Sequence, residues 1–343
     1  MKTARDWGLI PTGMKTGTMN ALTDVPGIRV GHCDIRGPGL MTGVTAIIPH
    51  GKDIFRLRPR AAVEVINGFG KSAGLMQVAE LGTIETPVML TNTFGVAACT
   101  EMLIRRAIAD NPQIGRDWST VNALVCECND GQINDIQALA VTPDHAGAAL
   151  DAALDGQFPQ GSRGAGSGMT AFGFKAGIGT ASRCLEIGGG HVLAALVLAN
   201  FGNAGDLILP DSRRPRPARR AEAERGSVIV VMATDLPLGD RQLQRVARRG
   251  GAGLARLGAF WGHGSGDIVL CFTTADPVVF PADADVVTQG RLSDEHIDLV
   301  FRAAAETTQE AVLNALCFAE PAQGRNGRIF PALSDWLKQN PLS

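Results

Sequence analysis

The sequence is poor in aromatic residues and in long hydrophobic runs. It contains no tyrosine, so no phenol is available as an acid or as a hydrogen-bond donor. Its longest apolar runs, residues 192–199 and 228–233, are far shorter than the roughly 20 residues that a bilayer-spanning helix needs. Residues 1–13 lack the apolar core of a signal peptide. These absences predict a cytoplasmic protein with no membrane partner.

Charge of one sign is also scarce. The 343 residues include 32 Lys and Arg and 34 Asp and Glu, which gives a formal net charge of -2. This balance argues against nucleic acid as a partner. The one strongly basic patch lies between Arg213 and Arg225, and acidic residues are interspersed within it. With 45% hydrophobic residues, the chain can bury a large core, as one α/β domain or as two smaller ones.

Metal-binding and disulfide patterns are absent as well. Seven cysteines, an odd number over a long chain, do not match a disulfide framework. Cys126 and Cys128 form the one close pair, but no matching Cys or His pair occurs elsewhere. Because alternate residues of a strand point the same way, core packing explains this pair better. The six histidines show no ligand spacing either, so we predict no metal.

Residues 161–170 are the most glycine-dense stretch of the chain. A dinucleotide fingerprint needs G-x-G-x-x-G directly after a strand and at the start of a helix. Here the third glycine comes one position early, and a strand-like alternation follows. Close approach of this backbone to another strand or to a substrate is the better explanation. The sequence therefore predicts no cofactor.

The composition changes abruptly at Gly226 and Ser227. Residues 228–233 are apolar and mostly β-branched, which predicts a strand buried on both faces. The preceding residues carry like charges and X-Pro steps, which predicts an exposed, flexible processing segment over residues 206–226. Gly226 has no side chain to block attack on its carbonyl, and it can adopt strained backbone angles. This combination favours cleavage between Gly226 and Ser227, whereas the simpler alternative is a loop end before a strand.

Cleavage at this bond would turn Ser227 into a nucleophile that carries its own base. Its hydroxyl would attack the Gly226 carbonyl, an ester would replace the amide, and hydrolysis would split the chain. The new α-amine would titrate near pH ~7.7–8.0, within one residue of the hydroxyl that it must deprotonate.

Other predicted strands also carry polar residues at their ends. Glu127 and Asn129 belong to an acid- and amide-rich strand end, which is typical both of a binding loop and of an ordinary turn. Ser265 and Asp267 are two residues apart at a strand start, so both can face one side, as the relay partners of a nucleophile would. Taken alone, Ser-Gly-Asp is more often an ordinary turn sequence.

Short motifs spread over most of the chain match a known pattern as a set. They are Thr23-Asp24-Val25 with Val30-Gly31-His32, Thr42-Gly43-Val44-Thr45, Thr91-Asn92-Thr93, Asp130-Gly131 with Asn134-Asp135, Gly177-Ile178-Gly179-Thr180-Ala181-Ser182-Arg183, Gly226-Ser227, Ser265-Gly266-Asp267 and Gly324-Arg325-Asn326-Gly327. Together they resemble the L-aminopeptidase/D-amino-acid esterase and β-aminopeptidase family, peptidase family S58, from about residue 18 to about residue 330.

The resemblance implies a fold and a processing event. The fold is an α/β four-layer α-β-β-α sandwich, similar to N-terminal nucleophile hydrolases but differently connected. The chain, residues 1–343, would be a single domain that cleaves itself into an α-chain, residues 1–226, and a β-chain, residues 227–343. The cleaved units would assemble into homo-oligomers.

The resemblance also implies a role for particular residues. Ser227 matches the nucleophile, and Ser265 and Asp267 match its supporting serine and acidic residue. Asn200 matches an amide that donates to the oxyanion. Glu127 matches the carboxylate that receives the free ammonium group of the substrate. The implied activity is release of N-terminal amino acids from short peptides, amides or esters through an acyl-enzyme on Ser227.

Two residues depart from the family pattern. Asn129, in the substrate pocket, stands where some relatives carry tyrosine, so a phenolic oxyanion donor is absent. Asp267 is one methylene shorter than the glutamate of some relatives. Both differences bear on the substrate range and leave the acyl-transfer residues in place.

Two other functions fit the same residues. One is acyl transfer onto an amine, as in the ornithine acetyltransferases, which share a self-cleaving logic. The other is binding of amino-acid-like ligands without turnover. Incorporation of an added amine into the product would indicate the first, and an unsplit chain the second.

Overall fold

The computed structural model describes residues 1–10, 13–217, 226–282 and 284–341. The strands are β1 (Arg29–Gly37), β2 (Leu40–Ile48), β3 (Leu57–Gly68), β4 (Val88–Asn92), β5 (Leu124–Cys128), β6 (Thr170–Ala171), β7 (Phe174–Lys175), β8 (Ile178–Leu185), β9 (His191–Asn200), β10 (Ser227–Thr234), β11 (Gly266–Val279), β12 (Ala322–Gln323) and β13 (Ile329–Phe330). The α-helices are α1 (Leu75–Leu81), α2 (Val96–Asp110), α3 (Pro143–Asp151), α4 (Asp240–Ala255), α5 (Ile297–Cys317) and α6 (Leu333–Gln339). Across these ranges, no helix has the length and hydropathy to cross a membrane.

β10 lies at the centre of the larger of two main sheets. The four-stranded sheet has the order β1-β2-β4-β5, and the five-stranded sheet has the order β3-β11-β10-β9-β8. Within the latter, β10 runs antiparallel to β9 and parallel to β11. Every residue of β10 is buried. The strand predicted over residues 228–233 is therefore confirmed, one residue longer at each end.

Two hydrophobic cores on opposite faces of β10 explain its unbroken apolar run. Val228, Val230 and Met232 pack in the core beneath α4 and α5. Ile229 and Val231 pack in the core between the two sheets. Because alternate residues of a strand point to opposite faces, a strand between two cores needs an apolar side chain at nearly every position.

Helices cover the outer face of each sheet. Leu243 of α4 and Val312 of α5 pack against the five-stranded sheet. Cys99 and Leu103 of α2 pack with residues of the four-stranded sheet, and α3 contributes Ala146 to the same core. The layers are thus helices, sheet, sheet and helices. The predicted four-layer α-β-β-α sandwich is confirmed.

The processing segment predicted over residues 206–226 is described only in part, because residues 218–225 lie outside the described residues. Near its beginning, Leu207 and Leu209 are buried in the core beneath α4 and α5. At its end, Gly226 is buried directly before β10. Both described ends of the segment therefore pack on the body of the sandwich.

His32, on β1, is a titratable residue whose neutral form is favoured by the folded state. Its ring nitrogens lie 2.9 Å from Thr45 Oγ1 and 3.1 Å from the Pro159 carbonyl oxygen. Burial lowers the pKa of His32 from 6.5 to about 4. The unfolded chain therefore takes up this proton first as the pH falls. The stability that His32 contributes is complete above pH 6.5 and is lost as the pH approaches 4.

We expect His32→Asn to remove this part of the acid sensitivity. Relative to the variant, the wild-type protein should lose about 2–3 kcal/mol of unfolding free energy between neutral pH and pH 4, since one pKa unit corresponds to about 1.4 kcal/mol. Urea unfolding of both proteins at several pH values measures this difference. Parallel pH profiles for the two proteins would contradict the assignment, whatever their absolute stabilities.

Candidate active site

Ser227, the first residue of β10, lies beside two other strand ends. In the sheet register it is opposite Asn200, the last residue of β9, and opposite Gly266, the first residue of β11. Ser227 is 4% exposed, and its hydroxyl oxygen accepts a hydrogen bond of 3.1 Å from the Gly266 N–H. Strand pairing alone therefore brings three segments that are distant in sequence to one point.

Ser265 and Asp267 form a buried hydrogen-bonded pair at the start of β11. Ser265 Oγ donates to Asp267 Oδ1 over 2.7 Å, and both residues are fully buried. The prediction that these two side chains face one side is confirmed. Gly266, between them in sequence, is the register partner of Ser227, so the pair lies one residue along the chain from the position opposite the serine.

Asn67 holds the turn that carries this pair. It is the register partner of Asp267 on β3, and its Nδ2 donates to the carbonyl oxygens of Gly262, at 3.0 Å, and of Ser265. The register shifts directly after Asp267, where Ile66 is an extra residue on β3. Bulges of this kind re-aim side chains and are frequent beside active sites. Sequence reasoning missed Asn67, whose only signal is an amide at the end of a strand pattern.

The Asn200 amide is held in one orientation by two backbone groups. Its Oδ1 accepts a hydrogen bond of 3.0 Å from the Thr170 N–H, and its Nδ2 donates over 2.9 Å to the Asn129 carbonyl oxygen. A flipped amide would place donor against donor and acceptor against acceptor. The residue is 3% exposed, so water offers little compensation for such a flip. Nδ2 therefore stays on the side of Asn129.

Glu127, on β5, is a buried carboxylate close to the same point. It is 2% exposed; its Oε1 accepts from the Lys71 N–H at 2.9 Å and its Oε2 accepts from the Thr93 hydroxyl. A Cβ on Gly70 would lie 3.7 Å from Glu127 Oε1 and 4.0 Å from Gly266 Cα. Glu127 and Gly266, whose N–H donates to Ser227, therefore both lie close to Gly70. Thr93 ends the polar triplet Thr91-Asn92-Thr93, which begins within β4 and is its signal in the sequence.

Asn129 reaches the site through its backbone. Its carbonyl oxygen accepts the bond from Asn200, while its side-chain Oδ1 accepts a hydrogen bond of 2.9 Å from the Gly131 N–H. The residue is exposed. Its side chain thus closes a local Asx turn, and its main chain helps to orient Asn200.

Gly226 lies where no side chain fits. A Cβ at this position would be 2.0 Å from the Asn200 carbonyl oxygen, far inside van der Waals contact. Glycine is thus required by the close approach of the chain to β9 directly before Ser227. Any larger residue would displace the serine or the end of β9.

A buried acid, Asp130, supports the strand ends behind the site. Asn92 Nδ2 donates to Asp130 Oδ2 at 3.2 Å, and Asn134 Nδ2 donates to Asp130 Oδ1 at 3.2 Å. Burial raises the pKa of Asp130 from 3.8 to about 6, although these hydrogen bonds oppose the rise. The three side chains join the end of β4 to the loop after β5. They were visible in the sequence only as parts of polar motifs.

The remaining sequence predictions concern ligands. Cys126 and Cys128 are buried in the core between the sheets, and burial raises the pKa of the Cys126 thiol to about 12. Among the described residues, no group of three His, Cys, Asp or Glu could hold a metal ion. A cavity of about 560 Å³, lined in part by His50, Phe55 and Asn111, contains none of the predicted site residues. This cavity therefore does not coincide with the predicted site.

Comparison with known proteins gives the family. The sequence profile of peptidase family S58 matches residues 20–330. The chain belongs to peptidase family S58. The family predicted from the motifs is thus confirmed, and with it the enzyme class, a hydrolase of the aminopeptidase type.

Relatives of this S58 peptidase cover nearly all of its length. It is 37% identical to the β-peptidyl aminopeptidase BapA of Sphingosinicella microcystinivorans over 94% of this chain and 87% of the relative. It also resembles the solved β-aminopeptidase of a Burkholderia species, with a TM-score of 0.89, 34% identity and 100% of both chains covered.

A further solved relative bears on the fold. The L-aminopeptidase D-Ala-esterase/amidase of Ochrobactrum anthropi has a TM-score of 0.88 and 35% identity to the S58 chain, and 98% of both chains is covered. That structure is described as a new variant among the Ntn hydrolase fold. The predicted likeness to N-terminal nucleophile hydrolases is therefore confirmed.

Proposed function

We propose that this S58 peptidase cleaves itself before Ser227 and then uses Ser227 to release N-terminal amino acids from short peptides, amides or esters. The observation that carries the proposal is the register of the five-stranded sheet, which aligns Ser227 with Asn200 and with Gly266. Glu127 lies close to Gly70, which is also close to Gly266. A nucleophile, an amide donor, a buried acid and a carboxylate for the substrate amine thus converge.

Self-cleavage requires one acyl shift and one hydrolysis. The Ser227 hydroxyl attacks the Gly226 carbonyl carbon, the C–N bond breaks, and the hydroxyl proton passes to the departing amine. Water then splits the ester, which leaves a carboxylate on Gly226 and a free hydroxyl and α-amine on Ser227. The products would be residues 1–226 and 227–343. The lack of a side chain on Gly226 leaves its carbonyl open to this attack.

The same hydroxyl would then attack the substrate. Its proton passes to the Ser227 α-amine or to the Ser265–Asp267 pair. The hydrogen bond from the Gly266 N–H stabilises the negative charge that develops on Ser227 Oγ. Nδ2 of Asn200 carries two hydrogens, and one of them is bonded to Asn129. The other donates to the oxyanion of the tetrahedral intermediate. The leaving amine or alcohol departs with a proton, and water hydrolyses the acyl-enzyme.

Glu127 would select substrates that have a free amine. A carboxylate can accept about four hydrogen bonds, and two of these positions are filled by Lys71 and Thr93. The remaining lone pairs suit an ammonium group, which is costly to bury without a partner. We also propose a cytoplasmic location and, because the family resemblance implies it, assembly of cleaved units into homo-oligomers.

Glu127→Gln should weaken this selection. We expect kcat/KM for a free aminoacyl p-nitroanilide to fall about 10²–10³-fold, the scale of breaking a buried ion pair. The preference for the free amine over its N-acetylated analogue should fall by a similar factor. The matched control is Glu101→Gln, which alters an exposed glutamate paired with Arg105 on α2 and should change nothing. An unchanged preference in Glu127→Gln would refute the role of Glu127, and absence of hydrolysis by the wild type would refute the function.

A further inference from the structure

Lys175, at the end of β7, is a fully buried lysine close to the site. Its Nζ donates to three carbonyl oxygens, those of Gly166 at 3.2 Å, Met169 at 2.9 Å and Ala176 at 2.6 Å. Three acceptors match the three hydrogens of an ammonium group. Burial opposes the charge and lowers the pKa of Lys175 well below 10.5. Because burying a charged group costs free energy, we expect this lysine to have a specific role.

One of these carbonyls belongs to the peptide group that orients Asn200. The Met169 carbonyl oxygen accepts from Lys175 Nζ and also from the Ala176 N–H, at 3.0 Å. The N–H of the same peptide group, on Thr170, donates to Asn200 Oδ1 at 3.0 Å. Hydrogen bonds in a chain polarise one another, so donation to the carbonyl strengthens the N–H as a donor.

We propose that Lys175 is a positioning residue for the Asn200 amide and acts through the Met169–Thr170 peptide group. It holds that group in place, which fixes Oδ1 of Asn200 on the Thr170 N–H and keeps Nδ2 on the Asn129 carbonyl oxygen. The inference rests on the proposed function, in which Asn200 donates to the oxyanion. Lys175 itself does not touch the substrate.

The other contacts of Lys175 agree with this role. Gly166 and Met169 lie in the glycine-rich turn, residues 161–170, and Ala176 lies just beyond β7. A single Nζ is thus hydrogen-bonded both to the stretch before β6 and to the residue after β7. A Cβ on Gly166 would lie 2.5 Å from the Ile178 nitrogen, so the turn is already packed closely against the start of β8. The glycines allow this approach, and Lys175 sets the direction of the peptide groups.

The test is a double-mutant cycle. Lys175→Met keeps the length of the side chain and removes all its donors. We expect kcat per cleaved molecule to fall about 10- to 100-fold while KM changes less than about threefold, because the loss arises in the transition state. In an Asn200→Ala background the same substitution should cost less than about threefold, since the amide that it positions is absent. Lys338→Met, on the exposed face of α6, is the matched control and should leave kcat unchanged.

Each alternative outcome has a definite meaning. Full activity of Lys175→Met, or losses that multiply in the double variant, would overturn the positioning role. A lower melting temperature with normal kcat would show that Lys175 only stabilises the turn. If Asn200→Ala alone keeps its kcat, the oxyanion role in the proposed function fails first. If Lys175→Met does not fold, the same cycle is measured with Lys175→Gln, which retains an amide donor. If a variant stays uncut, the rate of chain cleavage is compared instead of kcat.

Discussion

Ser227→Ala is expected to remain a single uncut chain of 36.0 kDa with no measurable aminopeptidase activity. One hydroxyl is proposed to attack both the Gly226 carbonyl and the substrate carbonyl, so its removal abolishes both reactions. Loss of a serine nucleophile typically lowers kcat about 10⁶-fold. Intact-mass spectrometry and p-nitroanilide hydrolysis on the same sample measure the two effects together. The wild-type sample should contain a fragment that begins at serine.

Two further substitutions make this result specific. Ser119→Ala changes an exposed serine outside the site and should be cleaved and active like the wild type. Ser227→Cys keeps a nucleophile of similar size and should be cleaved at least in part. Normal two-fragment processing of Ser227→Ala would rule out the scheme. Active wild-type protein that consists only of the intact chain would do the same.

Local sequence patterns predicted the parts of the site that a single strand defines. The apolar run of residues 228–233 predicted a buried strand because each of its faces meets its own core. The spacing of Ser265 and Asp267 predicted that they face one side, and they share a hydrogen bond of 2.7 Å. Such patterns depend only on the two-residue period of a strand.

Strand order could not be predicted in this way. Ser227, Asn200 and Gly266 meet because β9, β10 and β11 are neighbours in the sheet. No periodicity within one segment states which other segment will pair with it. The assignment of Asn200 came from the family resemblance, because as a strand-end amide it does not differ from many others.

Lys175 shows a second limit of sequence reasoning. In an alternating segment, a lysine is ordinarily on the solvent face, since buried lysines are rare. Here the face that would be exposed is covered by the glycine-rich turn, whose carbonyls accept two of the three bonds from Nζ. The burial of Lys175 is explained only by the folded structure, in which the turn supplies two of its acceptors. The local sequence of neither segment indicates contact with the other.

Asn200→Ala is expected to lower kcat about 10²–10³-fold with little change in KM, the usual effect of removing one oxyanion donor. The amide contributes when negative charge develops on the substrate oxygen, so its loss is felt mainly in the transition state. Steady-state kinetics on cleaved protein measures both constants. Asn203→Ala, three residues further along the chain, is the control and should have normal kinetics. A rise in KM with unchanged kcat would mean that Asn200 binds substrate rather than the oxyanion.

The isosteric variant Asn200→Asp tests whether the Asn200 side chain acts as a hydrogen-bond donor or only by filling space. Aspartate can still accept the bond from the Thr170 N–H, so the shape of the site is kept. It places a carboxylate oxygen where Nδ2 was, facing the Asn129 carbonyl oxygen and the developing oxyanion. Repulsion should then make Asn200→Asp slower than Asn200→Ala, even though it preserves more of the structure. If aspartate instead restores activity above the alanine level, the side chain acts by filling space, and the oxyanion must be stabilised by other groups.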